Sequence, residues 1–60
     1  MRAREAIKLH NRDQVQVRIA NKIWEFGYVL GEPYKHGAIV MVPVSSRKNS
    51  YRVVPHTEIR

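Results

Sequence analysis

From Asp13 onward the chain alternates with a period of two: Val15, Val17 and Ile19 fall on one side, and Gln14, Gln16 and Arg18 on the other. That period belongs to a strand with one face buried, and no helix can satisfy it. Ala20-Asn21-Lys22 reads as a turn, since Asn tolerates left-handed backbone. A second strand follows over residues 23–30, where Ile23, Trp24, Phe26, Tyr28 and Val29 suit a pleated surface. Gly27 in its middle predicts a bulge or a sharp bend, and blurs the alternation enough to place Phe26 in the core or at an interface. The glycines and proline of residues 31–37 predict a loop around Tyr34. Residues 38–42 form a short apolar run of the kind a buried central strand uses. Pro43 should end regular pairing or mark an edge or bulge, with Val44 extending the strand beyond it. Residues 45–50 read as a polar, basic hairpin loop, residues 51–54 as a strand stopped by Pro55, and His56-Thr57-Glu58 as one helical turn before a closing strand at Ile59.

Four to five short strands at this spacing predict an all-β fold, a small five-stranded barrel of the Src-homology-3-like type. Closure suits a chain of 60 residues because it removes exposed strand edges. A chain this short buries only about 60% of its unfolded surface. With no cysteine to staple it, its stability must come from packing, helped by oligomerisation or a partner. Residues 1–11 stand apart from the barrel of residues 12–60. Arg2, Arg4 and Lys8 among Ala3, Ala6, Ile7 and Leu9 suit either a short helix or a flexible basic arm. No apolar run has the ~20 residues of a membrane span. The expected setting is intracellular, in cytoplasm, nucleoid or nucleus, with no membrane partner.

The chain resembles the C-terminal, DNA-binding domains of retroviral and retrotransposon integrases over residues 12–60. The resemblance rests on Asp13-Gln14-Val15-Gln16-Val17-Arg18, on Trp24, Gly27 and Val29, on Gly37-Ala38-Ile39-Val40, and on Tyr51-Arg52-Val53-Val54-Pro55 followed by Ile59-Arg60. Tudor-like and other small barrels share the same glycines and valines. Three features depart from the integrase pattern: Arg12 stands where those domains carry a glycine, His56-Thr57 where they carry paired basic residues, and the loop from Pro43 to Ser50 is expected to be longer than theirs. The resemblance implies an Src-homology-3-like barrel that binds DNA.

Eleven Lys and Arg against five Asp and Glu give a net charge of +6, an imbalance that favours a polyanionic partner. Catalysis has little to work with. Glu5, Asp13, Glu25, Glu32 and Glu58 fall singly, whereas acid–base chemistry needs converging groups in a shielded cleft. His10, His36 and His56 have no metal-ligand spacing, so no metal or cofactor is expected. Nucleic-acid binding, to DNA more than RNA, is the function expected. Arg18, Lys22, Arg47, Lys48 and Arg52 would meet phosphates, and Trp24 or Tyr51 would stack on bases. The alternative is a protein-interaction module, either a Tudor-like reader whose aromatic residues cage a methylated side chain or a small phage or regulatory protein that docks on a larger enzyme. Ile39, Met41 and Val42 suit either a homodimer or docking face or full coverage within the monomer.

Overall fold

The computed structural model describes residues 1–47 and 50–60. Lys48, one of the expected phosphate contacts, lies outside the described residues. The strands are β1 (Gln14–Ala20), β2 (Ile23–Val29), β3 (Tyr34–His36), β4 (Ile39–Ser46) and β5 (Arg52–Pro55). A short helix, α1 (Ala3–Ala6), precedes them, and a 3₁₀ turn (His56–Glu58) follows. All five strands join one antiparallel sheet. The fold is the small, all-β barrel-like domain that the sequence predicts.

β4 organises the sheet. One of its edges pairs with β5 from Met41 to Val44, and the other is shared by β3, at Ile39–Met41, and β2, from Val44 to Ser46. β2 pairs in turn with β1. The closing contact is made after the 3₁₀ turn, where Ile59 bridges to Val17. There the Gln16 N–H donates to the Arg60 carbonyl at 2.7 Å, and the Arg60 N–H to the Gln16 carbonyl at 2.9 Å. The expected closing strand therefore exists as one bonded pair of residues.

Pro43 does not end β4. It is buried in mid-strand, opposite Val53. Its carbonyl accepts from the Leu30 N–H at 2.9 Å, on the edge shared by β2 and β3. Paired residues on that edge stop at Met41 on the β3 side and resume at Val44 on the β2 side. The amide hydrogen that proline lacks thus falls in the gap between two neighbours. The expected loop around Tyr34 is partly strand, because β3 occupies the outer half of this edge. The basic loop starts later than expected, since Ser45 and Ser46 belong to β4, and Tyr51 sits in a bend just before β5.

The core is built almost entirely from valine: Val15, Val17, Val29, Val40, Val42, Val44 and Val54, joined by Ala6 and Ile59. Each side chain of this size contributes about 1.5–3 kcal/mol when fully buried. Ala6 shows that residues 1–11 are no free arm. α1 packs on the barrel, with Met1, Ala3, Ile7 and Leu9 against the same core. The Glu5 carboxylate accepts from the Arg2 N–H at 3.2 Å at the start of the helix. Val42 faces inward and Met41 is half-buried, so of the expected exposed apolar face only Ile39 is open.

At Gly27, β4 leaves no room for a side chain on β2. The β1 register runs unbroken through this glycine, so it is not a bulge. A Cβ built there would lie 2.2 Å from the Ser45 carbonyl oxygen. The register shift sits instead at Ile19, before a turn in which Lys22, not Asn21, takes the left-handed conformation (φ 63°). Arg12 is left-handed too (φ 76°), at the position where integrase domains carry glycine. Two substitutions test these local demands. Gly27→Ala should cost about 2–3 kcal/mol by forcing β2 and β4 apart, read as a lowered denaturation midpoint. Arg12→Gly relieves about 1–2 kcal/mol of left-handed strain and gives back about 0.5–1 in backbone entropy. It should therefore raise Tm by a few degrees in a thermal melt.

Candidate nucleic-acid interface

The register fixed by Gly27 decides which way β2 points its side chains. Gly27 and Val29 are buried, so Trp24, Phe26 and Tyr28 share the outer face. Phe26 is 63% exposed and Tyr28 52%, while Trp24 is half-buried. Phe26 is therefore neither core nor a blurred position. The polarity of β2 is mixed: half-buried Glu25 and buried Gly27 and Val29 alternate with the outer aromatic residues, and Ile23 at the strand start is exposed. Gln14, Gln16 and Arg18 of β1 stand opposite Tyr28, Phe26 and Trp24 in the same register.

The closing residue adds a cation to this face. The Arg60 guanidinium lies over the Trp24 ring, 4.3 Å from its centroid. Arg60 Nε also donates to Gln16 Oε1 at 2.9 Å, so one side chain is held by a ring and an amide together. Trp24, Phe26 and Tyr28 line an open groove with Glu25, Ser45, Ser46 and Arg47. Arg47 is thus the expected phosphate contact that reaches the aromatic row. Arg60, not among the expected phosphate contacts, is the second cation beside these rings. Its signals in the sequence are its place after Ile59, where a closing strand is expected, and the Ile59-Arg60 pair of the integrase resemblance.

The other expected contacts lie elsewhere. Arg18 pairs with Glu58, with Nε 2.6 Å from Oε2 and an N–H donated to Oε1 at 3.1 Å. These two residues line a second depression with Ile19, Ala20, Asn21 and Arg52. Lys22 is exposed on the β1–β2 turn. Tyr51 is 64% exposed but is not among the residues lining the Trp24 groove. The described cations expected to converge therefore divide, with Arg47 at the aromatic groove, Arg18 and Arg52 at the second depression, and Lys22 lining neither of these two sites. These adjoin at one rung of the ladder, where Arg18 stands opposite Trp24.

His56 Nδ1 accepts from the Val40 N–H at 3.2 Å, and His10 Nδ1 lies 4.0 Å from Asp13 on the surface. Among the described residues no group of three His, Asp or Glu side chains is placed to hold a metal ion. No helix among them is long and apolar enough to cross a membrane. Compared with known protein families, curated proteins and solved structures, the chain matches none.

Trp24 is the sole tryptophan, so its emission reports on this face directly. Arg60→Ala should uncover the ring, moving emission to longer wavelength and raising acrylamide quenching. The stability lost should be about 0.5–1 kcal/mol, as for an exposed cation–π pair.

Proposed function

We propose that this chain is a non-enzymatic nucleic-acid-binding domain that uses a basic surface with aromatic support. The observation that carries the reading is the outward row of Trp24, Phe26 and Tyr28 on a face that also bears Arg47 and Arg60. Water-exposed aromatic rings on a rigid strand contribute little to the core. Beside guanidinium groups they form the pairing of flat apolar surface and fixed cations that nucleotides match. The net charge of +6 supplies long-range attraction for a polyanion. Arg18, Arg52 and Lys22 extend the basic surface past the Arg18–Trp24 rung, with Arg18 partly neutralised by Glu58. The resemblance of residues 12–60 to integrase C-terminal domains points the same way and favours DNA.

Phosphate contacts of this kind give affinity with little sequence preference. A domain neutralising about four phosphates should show a log–log salt slope near −3.6 on duplex DNA. Arg47→Ala combined with Arg52→Ala should weaken binding similarly across unrelated sequences and flatten the slope by up to about 1.8. Fluorescence anisotropy at several salt concentrations measures both quantities. Salt-insensitive binding, or none at low salt, removes the reading.

A further inference from the structure

We infer that the preferred ligand of the β2 face is an unpaired nucleic-acid strand, with bases stacked one per rung on Tyr28, Phe26 and the Arg60–Trp24 pair. The inference rests on the nucleic-acid reading above and narrows it to a ligand class.

Geometry supplies the first reason. Side chains two residues apart on one strand face stand about 6.8 Å apart. Successive nucleotides in a duplex strand rise by about 3.4 Å, half that spacing. An extended strand with separated bases can address consecutive rings, and a stacked duplex cannot. A duplex also hides the flat faces of its bases and offers only phosphates and groove edges. Phe26 and Tyr28, more than half exposed, would then have nothing to stack on.

The Trp24 rung is already arranged for stacking. Its ring carries the Arg60 guanidinium at 4.3 Å, and Gln16 Oε1 fixes that group from the side at 2.9 Å. A guanidinium plane stacks on bases as an aromatic ring does, while adding a positive charge. Arg47 borders the groove beside the rings, where a phosphate between two stacked bases would pass. Ser45 and Ser46 line the same groove as further polar residues.

The test compares a labelled single strand with a duplex of the same length at matched salt, for the intact chain and for Phe26→Ala with Tyr28→Ala. Both side chains are exposed, so the fold should survive, and a circular dichroism melt checks that it does. Phe26→Leu with Tyr28→Leu replaces the pair if the alanine variant unfolds. The single strand, DNA or RNA, should bind about tenfold or more tighter than the duplex. Losing each ring should weaken single-strand binding by about tenfold, with duplex binding changed by about twofold or less. Equal or tighter duplex binding, or single-strand affinity untouched by the double variant, overturns the inference and leaves the basic-surface reading standing. Failure of both oligonucleotides to bind overturns both. A concentration-dependent dimer abolished by the same variant would assign the face to a second copy of the chain, and overturn the inference as well.

Discussion

The pair of backbone hydrogen bonds between Gln16 and Arg60 holds the two ends of this chain together, and most other features depend on it. Without that pair the outer edge of β1 would be free. Val17 and Ile59, now fully enclosed, would lose their cover. The Met1 nitrogen, donating to the Ile59 carbonyl, draws the N-terminal segment onto the same seam. α1 then brings Ala6 into the valine core. A chain of 60 residues has few contacts to spare, so one seam that engages both ends has unusual weight. It also carries the Arg60 side chain onto the outer face of β1 and β2. The residue that closes the barrel is thereby the one that dresses Trp24.

A second constraint acts at Gly27. β4 approaches so closely there that only a hydrogen fits, and Gly27 faces the interior together with Val29. A one-residue slip would turn Trp24, Phe26 and Tyr28 into an interior whose Cα envelope is only 15 Å across its shortest axis. Valine fills such a space because it is compact and favours strands. The aromatic residues are displaced to the surface by the same geometry that lets the valines pack.

Strand β1 was legible because its polarity alternates in the usual sense, apolar inward and polar outward. β2 carries its large aromatic residues on the outer face and glutamate and glycine among the alternate positions, so period alone could not tell its inside from its outside. The extent of β4 was hidden by Pro43, whose missing donor is harmless only because two different strands share that edge. The pairing of Arg18 with Glu58 spans 40 residues, and no local pattern encodes it. Arg60 over Trp24 was hidden for a related reason, since it depends on barrel closure and not on either residue's neighbours in sequence. The left-handed backbone at Arg12 is the exception: its unusual residue type was visible, and the structure supplies the conformation that glycine would serve.

The division of the cations bears on how such a surface would work. The Arg18–Glu58 pair is partly solvent-exposed, so it contributes on the order of 1 kcal/mol or less to folding. Its larger effect is to lower the positive charge at the second depression, leaving Arg52 as the cation there that makes no ion pair among the described residues. Arg60 is treated differently: a neutral ring and a neutral amide hold it, so its position is fixed while its full charge remains. A cation oriented by uncharged partners keeps its attraction for an anion and has already lost much of the side-chain freedom that binding would otherwise remove. The β2 face therefore combines orientation with charge, and the Arg18 side combines orientation with neutralisation. That difference makes the aromatic row, and not the whole basic surface, the place where a ligand would be held in a defined pose.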